Sequence, residues 1–391
     1  MALTSLKAIP ALPGGHASFS IGLFLSYIFD WILIAGIALI GYGFHEVEPN
    51  HRPFSLNDPS ISYPYTESET IRTSVMVVVS LIAPAVIIAI LCLLFTPGAS
   101  IDDNASRVLL WRRKIWECNA AFMGLGLACA GVFMATEGLK DLFGHPRPDM
   151  LARCDPDLSN IAAYAVGGLG QRLEGAPILV SWDICRNTAD RLKIDGFVSF
   201  PSGHASFSFA GLTYFSLWLC SKFSIKFPYL AHSPLTQDLY PRNRFTIRNQ
   251  GAAPPIYLVI LAFVPFAVAF FIAASRWFDY RHYGFDIIFG SLMGVVFAWV
   301  GFRLYSPPIT RGSGWSWGAR SRDHAFFKGV GAPSNVGGEG WATLRFPEGE
   351  GVIENGHAHA HAHGVEHEHE HEHEHELDPA DLESGRRDLT E

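Results

Sequence analysis

The fold is decided by the stretch that runs from Pro255 to Tyr305, PIYLVILAFVPFAVAFFIAASRWFDYRHYGFDIIFGSLMGVVFAWVGFRLY. It contains two runs of about 20 mainly apolar residues, and a run of that length crosses a bilayer as a helix. The two runs are separated by a short polar segment, SRWFDYRHYGFD (Ser275–Asp286). This arrangement predicts two membrane-spanning helices whose connection carries charged groups at one membrane face.

Four further apolar runs lie upstream, so we expect an all-α, polytopic membrane protein with six transmembrane helices. The composition agrees, since 17% of the residues are charged, against about 25% in soluble domains. The N-terminus lacks the pattern of a cleavable signal. We expect one six-span domain (19–305) between an N-terminal segment (1–18) and a C-terminal tail (306–391). The predicted spans are Phe19–Gly41, Arg72–Phe95, Cys118–Leu139, Ala205–Lys222, Pro255–Ala274 and Gly284–Tyr305.

Basic residues predict the orientation of these helices. The loops after the second and fourth spans are rich in Lys and Arg, whereas the loop after the first contains only Arg52, with Arg72 at its edge. Because short cytoplasmic loops carry the excess of positive charge, we expect the even loops and both termini to be cytoplasmic. The odd loops then face the lumen or the outside. The basic residues that carry this prediction are Arg107, Arg112, Arg113, Lys114, Lys222, Lys226, Arg242, Arg244 and Arg248.

The tail differs in composition from the six-span domain. From Pro307 onward it holds 16 Asp and Glu against 7 Lys and Arg, a balance of −9, so the whole-chain charge of −8 leaves the remainder near +1. His alternates with Ala over His357–His363 and with Glu over His367–Glu376. Such a low-complexity run cannot bury a core, and disorder is expected. Its imidazoles either bind metal ions such as Zn²⁺ or belong to a solvated tail with no specific role.

Six cysteines in 391 residues do not form a disulfide scaffold. Four of them lie in or beside apolar spans, where Cys acts as a small hydrophobic residue. Cys154 and Cys185 share the polar loop after the third span. They can pair if that loop faces an oxidising compartment, but sequence spacing does not give the geometry that a disulfide requires.

Charge and histidine concentrate in three segments that border the spans. The first motif, KDLFGHPRP (Lys140–Pro148), follows the third span, and the second motif, PSGH (Pro201–His204), precedes the fourth. The third motif is the connection Ser275–Asp286. In the orientation given above, all three lie on odd loops. We therefore expect them to meet at one membrane face.

Together the three motifs offer the groups that bind a phosphate. Lys140, Arg147 and Arg276 supply positive charge. Arginine bonds two phosphate oxygens at once, and lysine acts as a point charge. Ser202 and Gly203 precede a predicted helix, and the free amides and dipole of its first turn favour an anion.

The histidines of the second and third motifs suit a phosphoryl transfer. His282 and Asp286 are four residues apart, so they share a face if the sixth helix begins early enough. An aspartate bonded to one ring nitrogen would fix the tautomer and leave the other nitrogen as a nucleophile. His204 is then available as a general acid to the leaving alkoxide, and next as a base to the water that releases phosphate. Structural roles alone are assigned to Asp279, Tyr280 and Arg281.

Each of these features alone has a simpler interpretation. Lys140 alone is typical of a helix-end residue that extends to the interface, and Pro-Ser-Gly is typical of a turn before a helix. His204, or the pair of His282 and Asp286, would alone suit a structural hydrogen bond. The intramembrane acids Asp30 and Glu137 require partners, and Lys140 lies one turn from Glu137. The joint occurrence of the motifs is what favours catalysis.

With its motifs written out, the chain resembles the type 2 phosphatidic acid phosphatase superfamily, also called the lipid phosphate phosphatase and haloperoxidase superfamily. The pattern is Lys, six residues, Arg-Pro; Pro-Ser-Gly-His; and Ser-Arg, five residues, His, three residues, Asp. The resemblance covers about Phe19–Tyr305. In addition, Arg52–Asp58 and Ile61–Tyr65 look like the first outer loop of fungal diacylglycerol pyrophosphate phosphatases.

This resemblance implies a helical bundle of that family's type and a phosphatase that needs no divalent metal. His282 would form a phosphohistidine, Asp286 would orient it, and His204 would protonate the leaving group. The substrates would be bilayer lipids, namely phosphatidate, diacylglycerol pyrophosphate and lysophosphatidate. The phosphoryl oxygens would be held by Lys140, Arg147, Ser202, Gly203 and Arg276.

The motifs recognise phosphate and not the lipid, so two alternatives stay open. One is an enzyme of the same fold that acts on a sphingoid-base phosphate or a polyprenyl diphosphate, or transfers a group to ceramide. The other is a non-catalytic membrane protein that binds lipid phosphates, which would be expected to lack His282 or His204. No nucleic-acid partner is indicated. We expect an endomembrane of the vacuole or Golgi type, or the plasma membrane; neither the organelle nor the oligomeric state is encoded by a recognisable signal.

Overall fold

The computed structural model describes residues 19–95, 107–223, 225, 254–306, 309, 316, 320 and 325–327, and this part of the chain is mainly helical, as expected. All of it falls in the first of two units, residues 1–344; no residue of the second, 345–391, is described. The helices are α1 (Ile21–His45), α2 (Thr73–Phe95), α3 (Arg107–Phe143), α4 (Met150–Cys154), α5 (Asp190–Asp195), α6 (Gly203–Lys222), α7 (Ile256–Phe278) and α8 (Gly284–Tyr305).

Among the described residues, the five helices α1, α2, α3, α7 and α8 are long and apolar enough to cross a membrane. Their surfaces expose large apolar side chains, such as Leu39 (70%) and Ile256 (76%), and exposed apolar surface on this scale marks contact with lipid. The chain is therefore an integral membrane protein. Helix α6 coincides with the predicted fourth span but is not among the five. The count of six spans stays a prediction.

Helix α6 is the central helix of the bundle. It packs against α2, α3, α7 and α8, and 15 of its 20 residues are buried. Because protein surrounds it, α6 tolerates hydroxyl side chains such as Ser206, Ser208 and Thr213, which lower its hydropathy. Gly211 lets α2 approach closely, since a Cβ there would lie 1.8 Å from the carbonyl oxygen of Ser80.

Helix α3 extends beyond the span Cys118–Leu139 predicted within it, and the bounds of that span stay a prediction. Its 37 residues extend over about 55 Å, whereas the hydrocarbon core is about 30 Å thick. The basic group that was assigned to a loop (Arg107–Lys114) lies on this helix. The helix continues through its charges because Arg113 pairs one turn ahead with Glu117, at 2.8 Å. The other predicted basic loop, from Lys226 to Arg248, lies outside the described residues.

Residues 46–72 and 144–202 form a folded cap at the end of the bundle. Three short antiparallel strands, β1 (Phe54–Ser55), β2 (Ala165–Gly167) and β3 (Leu179–Val180), pair in the order β1-β3-β2. Short 3-10 helices occupy Pro59–Ile61, Ile161–Tyr164, Leu169–Gln171 and Trp182–Ile184. A small hydrophobic cluster supports the cap; it contains Phe54, Ile61, Met150, Val180, Ile184, Leu192 and Phe197.

A disulfide between Cys154 and Cys185 closes a loop of the cap, which settles the question that the sequence left open. The two residues are 31 positions apart, and closing a loop of that length stabilises a fold by about 3–4 kcal/mol in the chain-entropy model. Both cysteines belong to the hydrophobic cluster, and the bond ties α4 to the end of the 3-10 helix Trp182–Ile184.

We expect removal of this disulfide to lower the thermal stability of the purified protein. Replacing both Cys154 and Cys185 by Ser should lower the unfolding midpoint in detergent by several degrees, in keeping with a loss of about 3 kcal/mol. Dithiothreitol should lower the midpoint of the wild type and leave that of the double variant unchanged. Equal sensitivity of both proteins to dithiothreitol would contradict the prediction.

Part of the tail that precedes its His-rich runs is packed on the bundle. Ser316 donates through its main-chain N and its Oγ to the Glu117 carboxylate, at 2.8 and 2.7 Å. Phe326 is buried and meets Trp116 edge-on, and its carbonyl accepts from the main chain of Ser20 at 3.0 Å. The His-rich runs and residues 1–18 lie outside the described part, and their predicted roles remain predictions. The intramembrane acid Asp30 has its partner in Arg320.

Candidate active site

A cavity of about 640 Å³ brings the three motifs together. The expectation that they meet at one face is therefore confirmed. Ser202 and Asp286 are buried and are not among the residues that line this cavity. The site residues that do line it are Lys140, Arg147, Gly203, His204, Arg276 and His282; they share it with His45, Glu69, Glu137, Asp141, Asp195 and Arg281, and with apolar residues that include Met76, Val77, Phe133 and Phe207.

The hydrogen bonds of His282 define its tautomer. Its Nε2 lies 3.1 Å from Nη1 of Arg147; a guanidinium only donates, so Nε2 must be the accepting, unprotonated nitrogen. Nδ1 lies 2.6 Å from the carbonyl oxygen of Ser199 and is therefore the protonated nitrogen, which donates a hydrogen bond to that carbonyl. Burial lowers the pKa of His282 well below its ordinary value, and the Arg147 guanidinium lowers it further. The imidazole is therefore neutral, with a lone pair on the nitrogen that lies beside Arg147.

The direct bond expected between His282 and Asp286 is absent, and that prediction is wrong. Helix α8 begins at Gly284, after His282, so the two residues do not share a helix face. Oδ2 of Asp286 lies 3.9 Å from Nδ1 of His282. It accepts instead from the Ser199 hydroxyl at 2.6 Å and from the main chain of Tyr283 at 3.1 Å. Ser199 thus contacts both residues, His282 through its carbonyl and Asp286 through its hydroxyl.

Lys140 lies against the first turn of α6. A Cβ on Gly203 would be 3.0 Å from Nζ of Lys140, so the ammonium and the start of the helix border the same space. The expected pairing of Lys140 with Glu137 is confirmed at 2.5 Å. Ser202 is the N-cap of α6, and its Oγ accepts from the main chain of Ala205 at 3.5 Å. The predicted start of this helix at the second motif is confirmed to within two residues.

Arg276 and His204 converge on one carbonyl group just before α2. The Ile71 carbonyl oxygen lies 3.0 Å from Nη2 of Arg276 and 3.1 Å from Nε2 of His204. Because a carbonyl only accepts hydrogen bonds, Nε2 of His204 bears a proton. Nδ1 is then the ring nitrogen that can exchange a proton with a substrate or a water molecule. Arg276 is further paired with Glu69 and Asp279, at 2.9 and 2.8 Å.

Comparison with known proteins identifies the family of this chain. The PAP2 superfamily model matches residues 120–308, a range that contains all three motifs. Diacylglycerol pyrophosphate phosphatase 1 of Saccharomyces cerevisiae is 30% identical over 283 residues, which cover 72% of this chain and 80% of the yeast protein. This chain belongs to the PAP2 superfamily.

Other relatives extend the same similarity. The probable diacylglycerol pyrophosphate phosphatase 1 of Schizosaccharomyces pombe is 30% identical over 288 residues, which cover 73% of this chain and 84% of that protein. The probable lipid phosphate phosphatase 4 of Arabidopsis thaliana is 24% identical, over 77% of this chain and 78% of its own. No solved structure is significantly similar.

Several contacts in this PAP2 site could not be found from the motifs. Ser199 and Ile71 act through main-chain carbonyls, which any residue type supplies, so the sequence carries no signal for them. Glu69 lies in a loop with no motif around it, so its pairing with Arg276 could not be predicted from the sequence. Asp195 lies seven positions before Ser202 and touches Arg147; a search for acids near the second motif would have included it. Of the residues taken as structural, Arg281 also lines the cavity.

Proposed function

We propose that this chain is a lipid phosphate phosphatase in which His282 is the nucleophile. The observation that carries the proposal is the position of His282: its unprotonated Nε2 lies beside Arg147, in a cavity that also holds His204, Lys140 and Arg276. The names of the relatives, diacylglycerol pyrophosphate phosphatase and lipid phosphate phosphatase, support the same activity. The proposed substrates are phosphatidate, diacylglycerol pyrophosphate and lysophosphatidate.

The first half of the proposed reaction transfers the phosphoryl group to the enzyme. The lone pair on Nε2 of His282 attacks phosphorus, and the bond from phosphorus to the lipid oxygen breaks. In this step His204 is required to be an imidazolium, with its second proton on Nδ1, and it gives that proton to the oxygen as it leaves. The Ser199 carbonyl accepts a hydrogen bond from the protonated Nδ1 of His282 and stabilises the charge that develops on the ring, while Asp286 acts through the Ser199 hydroxyl.

The second half returns the enzyme to its starting state. His204, now neutral, takes a proton from a water molecule, whose oxygen attacks the phosphohistidine. The bond between phosphorus and Nε2 breaks, and inorganic phosphate leaves. Throughout, the phosphoryl oxygens are held by Lys140, Arg147 and Arg276 and by the first turn of α6 at Gly203, whereas Ser202, predicted to bind phosphate, is buried outside the cavity lining and caps this turn. These fixed charges and amides are already in place before the reaction, which is what effective electrostatic stabilisation requires.

The proposed site faces the lumen or the exterior, with both termini in the cytoplasm. The disulfide of the cap supports this orientation, because disulfides persist in oxidising compartments, and the cap lies at the end of the bundle that carries the site. A membrane of the vacuole or Golgi type, or the plasma membrane, would satisfy this orientation.

The decisive experiment measures phosphate release from phosphatidate in detergent micelles in the presence of excess EDTA. We expect sustained turnover, unchanged by EDTA and by added Mg²⁺, because protein cations serve as the phosphate ligands. Release from diacylglycerol pyrophosphate and lysophosphatidate, measured in parallel, defines the substrate range. Absence of release from all three by folded protein would favour a sphingoid-base phosphate, a polyprenyl diphosphate or simple lipid binding, and turnover that requires Mg²⁺ would contradict the proposed mechanism.

A further inference from the structure

Arg147 is held in one orientation by a residue outside the three motifs, Asp195. Nε of Arg147 donates to the main-chain carbonyl of Asp195 at 2.7 Å, and Nη2 donates to Oδ1 of the same residue at 2.8 Å. The opposite nitrogen, Nη1, donates to the Arg281 carbonyl at 2.8 Å and to Nε2 of His282 at 3.1 Å. Asp195 therefore accepts hydrogen bonds from one edge of the guanidinium, while His282 accepts one from the other edge.

The charge on Asp195 is shared among three arginines. Besides Arg147, its carboxylate pairs with Arg153 at 2.9 Å and makes a short contact with Arg281. Burial alone would raise the pKa of Asp195, but these three guanidinium groups outweigh burial and hold its pKa well below the ordinary value. The carboxylate is therefore ionised at any physiological pH, and a quarter of the side chain is exposed, at the cavity wall.

We infer that Asp195 is a positioning residue of the phosphatase reaction, which sets the plane of the Arg147 guanidinium against His282. The inference rests on the proposed function. A guanidinium is a rigid planar fork, so fixing Nε and Nη2 also fixes the direction of Nη1. Without the Asp195 carboxylate, only carbonyl groups and the ring of His282 would hold Arg147, and the guanidinium could turn about its long side chain. Displacement of a positioned group by about 1 Å can reduce a rate by about 10².

Asp149 provides a matched control within the same network. It is fully buried and pairs with Arg281 at 3.0 Å and with Arg153 at 3.7 Å. Among the described residues, the hydrogen-bond acceptors of the Arg147 guanidinium are Asp195, Arg281 and His282, so Asp149 is not one of them. Asp149→Asn thus removes the same charge from the same arginine cluster without releasing Arg147.

The test compares kcat and KM for phosphatidate in the variants Asp195→Asn and Asp149→Asn. We expect Asp195→Asn to lower kcat by about 100-fold with a smaller change in KM, and Asp149→Asn to lower kcat by less than about 5-fold. Because Asp195 acts through Arg147, we expect the double variant with Asp195→Asn and Arg147→Lys to have a kcat less than about 3-fold below that of Arg147→Lys alone. If Asp195→Asn acted only by general destabilisation, the double variant would show the product of the two single losses in kcat. That outcome would overturn the inference.

A second variant keeps the inference testable if Asp195→Asn does not fold. Asp195→Glu retains the charge that the three arginines require, but its extra methylene displaces the carboxylate from Nη2 of Arg147. We expect this variant to elute from gel filtration as the wild type does and to lose kcat by at least about 10-fold. Wild-type kcat in folded Asp195→Glu would overturn the inference, whereas a wild type without activity in the same assay would overturn the proposed function instead.

Discussion

His282→Asn is expected to reduce phosphate release by at least about 10³-fold in kcat, the loss that is typical when a covalent nucleophile is removed. Asparagine keeps a polar group at this buried position, which is 4% exposed, but it has no nitrogen lone pair that can attack phosphorus. Rapid quenching of the wild type with ³²P-labelled phosphatidate should trap label on the peptide that contains His282. A phosphorus–nitrogen bond is labile in acid and stable in alkali, so the label should disappear after acid treatment.

His51→Asn serves as the control for this measurement. His51 is also a histidine of the extramembrane region, where its ring lies against Trp182 and Phe197 and its Nε2 contacts the Lys193 carbonyl at 2.9 Å. We expect this variant to retain both turnover and trapped label. If His282→Asn kept turnover within about tenfold of the wild type, or if the label resided on another residue, His282 would not be the nucleophile.

Gly211→Ala is expected to lower the free energy of unfolding by about 3 kcal/mol or more, because it forces apart two packed helices. The added Cβ would lie 1.8 Å from the carbonyl oxygen and 2.8 Å from the carbonyl carbon of Ser80. Both atoms belong to the backbone of α2 and cannot turn aside as a side chain does. Helix α2 would have to move away from α6 by about 1 Å, which breaks the packing of the core along its length.

Gly36→Ala is the matched control, since it makes the same change in α1, where a Cβ would meet nothing within 4 Å. Alanine is the better helix former by about 1 kcal/mol, so this variant should unfold at or above the wild-type midpoint. Thermal unfolding in detergent, followed by tryptophan fluorescence, measures both variants. Equal midpoints for Gly211→Ala and Gly36→Ala would show that α2 and α6 do not approach as closely as described.

The general architecture and the location of the site follow from the sequence because both depend on side-chain types. Long apolar runs predicted the helices α1, α2, α7 and α8. Motif residues such as Lys140 and His204 predicted where the three motifs meet. The same reasoning wrongly assigned Arg107–Lys114 to a loop, because hydropathy falls where the charges begin, whereas α3 continues through them with Arg113 paired to Glu117.

The fine geometry could not be predicted, for a different physical reason. The partners of His282 depend on the positions of main-chain atoms. Its Nδ1 lies 2.6 Å from the Ser199 carbonyl oxygen but 3.9 Å from Oδ2 of Asp286. A spacing of four residues predicts a contact only inside a helix, and His282 lies two positions before α8 begins. Contacts such as the one between Asp195 and Arg147 join segments 48 residues apart, and no local pattern predicts them.

The carboxylates that pair with the cavity's cations also bear on how a turnover ends. Glu137 holds Lys140, Asp195 holds Arg147, and Glu69 holds Arg276, so the site contains its own counter-ions. We therefore expect an arriving phosphate to meet cations whose charge is already partly balanced, and to gain less free energy than it would from unpaired cations. The same carboxylates compete for the cations when inorganic phosphate is the occupant. In the proposed reaction this competition is expected to weaken the binding of inorganic phosphate, so that the product leaves the site readily.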